Sequence, residues 1–282
     1  MSKSPEGVDV QRITVVARRV LLDGLLALQA HRSAITVIGA QAVYLRSTAA
    51  AIGAAAYTSD GDLGIDPELL VEWPLLEEAL RGAGFGLIVD GQAGLWAREE
   101  DIDGKIEKVE LDLLVGSTLA GGGRGADLPP HAKHAVRKVP GLEPAVVDRS
   151  PMTIGSLEDG DDRTVEVNVA GVAALMIAKA FKLRERLDRA DRRPDRVVDK
   201  DAGDVYRMMM TASPRETANT FRSLIEHPRV GKVAETGLGY LREIFGGPRT
   251  PATDLAVRAL AADVPEARIR AVAPAFVRAL PI

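Results

Sequence analysis

The hydrophobic pattern of this chain changes once, near residue 165, and that change constrains its architecture. Before it, short β-branched runs alternate with glycine breaks and stretches of helical period. After it, helical period runs almost unbroken to Ile282, interrupted at Pro194, Pro214, Pro228, Pro248, Pro265 and Pro274. A chain that needs strands first and only helices later reads as α+β, with an α/β domain over 1–165 and an all-helical domain over 166–282. Each part is long enough to bury a core. Aromatic residues make up only 4%, so that core is filled by small and branched aliphatic side chains.

Within the first part, apolar residues from Val10 to Leu28 recur at three and four, predicting an amphipathic helix over Asp9 to Gln29. Ala34 to Ile38 reads as a strand stopped by Gly39, and Ala40 to Ala51 as the helix that follows. A strand is expected over Ser59 to Ile65, a helix over Pro67 to Ala83, and strands over Gly86 to Asp90 and Leu95 to Arg98. Lys105 to Val115 alternates, placing Val109, Leu111 and Leu113 on one face and Glu110 and Asp112 on the other. Gly116 to Lys138, with its glycine cluster Gly121 to Gly125 and the Pro129-Pro130 pair, reads as a mobile seam. Short strands are expected near Val146 and over Thr164 to Val169.

The chain has no cysteine, which excludes disulfides, thiolate metal sites and cysteine nucleophiles. Its longest apolar runs, Ala49 to Tyr57 and Val172 to Ala178, fall short of the roughly 20 residues that cross a bilayer. Met1 to Asp9 carries Glu6 and Asp9 and does not read as a secretory leader, so the expected location is the cytoplasm, away from membrane. A net charge of -4 argues against a broadly basic nucleic-acid coat and leaves room for a local basic face.

The chemistry-bearing pattern is Ile38-Gly39-Ala40-Gln41 followed by Thr58-Ser59-Asp60-Gly61-Asp62. Residues two apart on a strand share a face, so Asp60 and Asp62 present two carboxylates side by side. Asp112 offers a third from another strand. Hard carboxylate oxygens suit magnesium, and such a set can place metal ions on a nucleoside triphosphate for in-line displacement. Gly39 and Ala40, at a strand-to-helix turn, let backbone N–H groups approach phosphate oxygens. Taken singly, each feature has an ordinary explanation: a surface Asp-x-Asp turn, a strand-ending glycine, a solvated strand acid.

Their order resembles the nucleotidyltransferase superfold with its mixed sheet, and more narrowly the AbiEii and MenT-like nucleotidyltransferase toxins of bacterial toxin–antitoxin pairs. The narrower resemblance rests on Leu175-Met176-Ile177-Ala178-Lys179-Ala180-Phe181-Lys182, then Arg184 and Arg186, then Lys200-Asp201-Ala202-Gly203-Asp204. It spans Ile35 to Asp204. Gly-Ala at 39 and 40 and Gly61 between the acids depart from the family's usual residues without removing a ligand. The resemblance implies that Asp60, Asp62 and Asp112 hold Mg2+ and that Lys179 neutralises the phosphates of the leaving group, with Asp201 in the site. Lys182 and Arg184 are further candidates on the triphosphate. It also implies a 3′ transfer RNA end as acceptor and a separately encoded antitoxin.

Between Lys179 and Lys200 there are nine basic residues against five acidic ones. This excess could hold an RNA backbone, or be a solvated helix laced by pairs such as Arg184 with Asp188. Transfer to a small polycation such as an aminoglycoside, and a non-catalytic binding module of the same fold, are the alternatives. His131 and His134 lack a third ligand for zinc and read as loop residues, while Trp73 and Trp96 read as packing residues rather than a base-stacking platform.

Overall fold

The computed structural model describes residues 10–47, 58–89 and 91–281. The expectations that fall on Met1 to Asp9, on residues 48–57 and on Asp90 lie outside the described residues. The chain divides into two units: the first holds the sheet and ends at Ala170, and the second runs from Gly171 and also takes Val43–Ser47 and Pro140–Asp148.

In the first unit the chain runs α1 (Val10–Ala27), β1 (Ile35–Ile38), the start of α2 (Gly39–Arg46), β2 (Asp60–Ile65), α3 (Leu76–Gly82), β3 (Gly86–Leu87), β4 (Leu95–Ile102), β5 (Lys105–Gly116), β6 (Arg137–Val139), β7 (Arg149–Gly155) and β8 (Thr164–Ala170). One sheet is ordered β3-β4-β5-β2-β1-β8-β7, with β6 paired to β5. It is mixed: β2 with β5, β1 with β8 and β5 with β6 are parallel, the remaining pairs antiparallel. Helix α1 covers the face carrying Leu63, Leu111 and Leu113. Side chains at Gly24 or Gly61 would run into Leu111, so these two glycines set how closely the helix approaches. That is what Gly61 does between the two acids.

Three expectations are corrected. Helix over Pro67 to Ala83 shrinks to α3, because Pro74 lacks an N–H and its ring opposes a continuous helix; Leu69, Val71 and Trp73 are left exposed, Trp73 by 63%. Gly116 to Lys138 is no seam: it belongs wholly to the first unit, buries Ala126, Ala135 and Val136, and ends in β6 on β5. A side chain at Gly125 would strike the Lys133 carbonyl, which shows how tightly this segment folds on itself. Around Val146 the chain forms a short 3-10 helix opened by Pro144, and the strand comes later as β7.

The second unit is helical: α4 (Val172–Asp188), α5 (Asp199–Thr211), α6 (Pro214–Glu226), α7 (Gly231–Phe245), α8 (Pro251–Ala259) and α9 (Glu266–Ala279). Pro214 and Pro251 open helices, where the missing N–H has no intrahelical partner to lose. Pro274 does not interrupt. It lies inside α9, where burial of Ile269, Ala273, Phe276 and Val277 holds the helix across the lost hydrogen bond.

Candidate functional site

Strands β2 and β5 run parallel with Asp60 opposite Glu110 and Asp62 opposite Asp112. Residues directly opposed across a ladder share a face, so four carboxylates form two adjacent pairs on the face away from α1. The same alternation leaves these acids half-buried and buries Gly61, Leu63, Val109, Leu111 and Leu113 on the opposite face. Ile38, the last residue of β1, is opposite Asp62. The next residue, Gly39, has φ +66°, and a Cβ there would fall onto the Asp62 carboxylate. Only glycine allows β1 to turn into α2 so close to that acid. Ala40 follows, buried in the first turn of α2.

Two donors hold the acids. Thr58, fully buried, donates from Oγ1 to Asp60 Oδ1 at 2.6 Å. Arg137 of β6 donates from Nη2 to Asp112 Oδ2 at 3.1 Å. The other oxygen, Asp112 Oδ1, is buried without a hydrogen-bond partner. Burial, then the charge of Asp62, pushes the Asp112 carboxyl up to about 8, with Arg137 opposing and Glu110 and Asp60 adding to the rise. Glu110 is raised by burial and then by Asp60.

An orphaned carboxylate oxygen and hard oxygen donors fit a divalent cation, which commonly takes one or two protein carboxylates and completes its shell with water and phosphate. Among the described residues no three His, Cys, Asp or Glu side chains close into a ligand cage. Glu110 and Arg137 were not singled out from the sequence. Glu110 was legible, standing two residues before Asp112 on the same alternating face; Arg137 was not, because its strand lies in the glycine-rich segment.

In the second unit, α4 and α5 bring Lys179 and Asp201 together. Lys179 Nζ donates to Asp201 Oδ1 at 2.6 Å and to Asp204 Oδ2 at 2.8 Å, in a buried position. Arg186 and Lys182 also reach Asp201, at 2.6 and 3.2 Å, and Arg207 reaches Asp204 at 3.2 Å. Burial disfavours the Lys179 ammonium, yet Asp201 and Asp204 outweigh it and hold its pKa above the ordinary lysine value. Burial likewise disfavours ionised Asp201, and Lys179, Lys182 and Arg186 overcome it to hold that carboxyl below its usual range. Asp201 and Asp204 therefore serve as ion-pair partners here. Arg184 stands apart, bonded to Glu243 and Asp188. Arg207 was missed; its signal is its place three residues after Asp204 on one helix.

The weaker candidates resolve into packing. His131 accepts from the Leu76 N–H, is bonded to the Val71 carbonyl and sits edge-on against His31. His134 meets Arg81. Trp96 is buried and donates to the Ala135 carbonyl, whereas Trp73 is exposed rather than packed. Among the described residues no helix is long and apolar enough to cross a membrane. Comparison with family models, curated proteins and solved structures gives no match.

Proposed function

We propose that this protein is a magnesium-dependent nucleotidyltransferase of the nucleotidyltransferase fold, the toxin of a toxin–antitoxin pair, moving nucleotides from a nucleoside triphosphate to the 3′ end of transfer RNA. The observation that carries this reading is the in-register Asp62 and Asp112 pair on parallel strands, with Gly39 set against Asp62 where β1 becomes α2. Asp60, Asp62 and Asp112 would hold the magnesium, which when bound neutralises triphosphate oxygens and acidifies a nearby hydroxyl.

The remaining tasks belong to the chain itself. Thr58 fixes the Asp60 carboxylate, and Arg137 fixes one oxygen of Asp112. The other, Asp112 Oδ1, has no hydrogen-bond partner and is the one left to bind the magnesium. Backbone N–H groups at the start of α2, at Gly39 and Ala40, receive phosphate oxygens. In the helical unit four cations surround two carboxylates. Lys179 is enclosed by the acids, and Lys182, whose side chain is 49% exposed, pairs with Asp201. Exposed Arg192, Arg193 and Arg196 would meet the RNA backbone. The antitoxin follows from the family resemblance, and the cytoplasmic setting from the charged residues Glu6 and Asp9 near the N-terminus.

Incubation with α-labelled and γ-labelled nucleoside triphosphates, magnesium and total RNA tests the reading. Label from the α position should appear at RNA 3′ ends, and an Asp60→Ala variant should transfer none. Transfer of γ label, or of nothing, overturns it.

A further inference from the structure

Arg18 lies on α1 with 8% of its surface exposed. Its Nε donates to Gln41 Oε1 at 3.0 Å and its Nη1 to the Gly155 carbonyl, at the end of β7, at 3.2 Å. Among the described residues no carboxylate pairs with it. A buried charge without a countercharge is unfavourable, and buried charges are ordinarily paired. Burial accordingly holds this guanidinium below the usual arginine range.

Gln41 is the third residue of α2 and only 1% exposed. Arginine can only donate, so the Gln41 carbonyl oxygen must face Arg18 and its amide nitrogen must turn away. That nitrogen is buried with no hydrogen-bond partner. One side chain therefore links an unpaired cation to the first turn of α2, the turn whose Gly39 packs on Asp62.

We propose that Arg18 is a positioning residue for the triphosphate of the donor nucleotide: through Gln41 it fixes the first turn of α2 against Asp62 and keeps uncompensated positive charge behind the N–H groups that receive phosphate. The inference rests on the donor site proposed above. Arg18 touches neither substrate nor metal. Among the described residues its charge is unneutralised, which leaves it to act on an anion bound at that turn.

Gln41→Glu separates this role from a structural one. The new carboxylate would pair with Arg18, so the melting temperature should hold or rise. Affinity for magnesium complexes of ATP, GTP, CTP and UTP, measured by equilibrium titration, should nevertheless fall about tenfold or more for whichever binds, because the backing charge is cancelled. In the transfer assay KM should rise more than kcat falls. Unchanged affinity in Gln41→Glu overturns the proposal. Should that variant fail to fold, Arg18→Met, Gln41→Met and their double variant decide the matter. Action through Gln41 requires the double variant to lose no more affinity than Arg18→Met alone, and additive losses overturn it. A wild-type protein that binds no triphosphate removes the donor-site reading and this inference together. Wild-type binding with an unaffected Gln41→Glu removes this inference alone.

Discussion

The two ionic clusters of this molecule are built from the same residue types and balanced in opposite directions. On the sheet, four carboxylates share a face, Arg137 is bonded to Asp112, the other Asp112 oxygen is left unpartnered, and Asp112 is held partly protonated. In the helical unit, two carboxylates are surrounded by four cations, and both Asp201 and Lys179 are driven further into their charged forms. The helical cluster completes itself. The sheet cluster leaves a buried Asp112 oxygen without a hydrogen-bond partner, and the function proposed above assigns that face to a cation. The presence of aspartates is common to both and decides nothing; their partners decide.

The largest expected effect breaks the comparison on stability. Asp204 is fully buried and bonded to Lys179 and Arg207, so Asp204→Asn should destabilise the helical unit by about 3–5 kcal/mol, the usual result of removing one partner from a buried pair. Asp112→Asn, on the crowded face, should leave stability equal or higher while abolishing nucleotidyl transfer. Denaturant titrations of the two variants measure both effects, and a larger stability loss for Asp112→Asn would reverse the assignment of the clusters.

A smaller effect is read in pH. The folded Asp112 carboxyl titrates near 8 against about 4 in the unfolded chain. A raised folded value means that its contribution is fully present below the unfolded value and is lost as pH rises through 8. Without divalent metal, the sheet unit should lose on the order of 1 kcal/mol per pH unit between about 6.5 and 8. The helical unit should stay level there: lowered Asp201 contributes at all pH above about 4, and raised Lys179 at all pH below about 10.5. Both tryptophans lie in the sheet unit, so their fluorescence follows that unit, and hydrogen exchange in α4 and α5 follows the other. Asp112→Asn should flatten the first curve. A slope that survives this substitution would assign the titration to another group.

What the sequence made legible was local. Alternation over Lys105 to Val115 put Asp112 on the face away from Val109, Leu111 and Leu113, where the structure has it, because a strand's period is fixed by its backbone. Gly39 was readable as a break between strand and helix. Its reason, the Asp62 carboxylate against its α-carbon, depends on a register between strands that no single segment encodes. The Pro67 to Ala83 region carried helix-forming residues, and Pro74 overrode them. Arg18 and Gln41 were unreadable as a pair because each sits in a segment of helical period, twenty-three residues apart, and only the packing of α1 near the start of α2 brings them together.

Glu110 gives the finest test of what the acid face is. It lies opposite Asp60, and burial and Asp60 both favour its protonated form, yet nothing in the family resemblance gives it a task. If the face acts as a pool of negative charge awaiting a cation, Glu110 contributes field without being a ligand. Glu110→Gln keeps shape and removes charge, and even with the full screening of bulk water, a dielectric of about 80, the lost attraction for a divalent ion at about 6 Å is at least on the order of 1 kcal/mol. Magnesium affinity, measured as the rise in melting temperature with added metal, should therefore weaken about fivefold or more, with stability in metal-free buffer equal or higher. Loss of a ligand, as in Asp62→Asn, should abolish the metal response instead. A Glu110→Gln protein with wild-type magnesium affinity would confine the site to the Asp62 and Asp112 pair and Asp60, and Glu110 would be a strand residue that the register happens to place beside them.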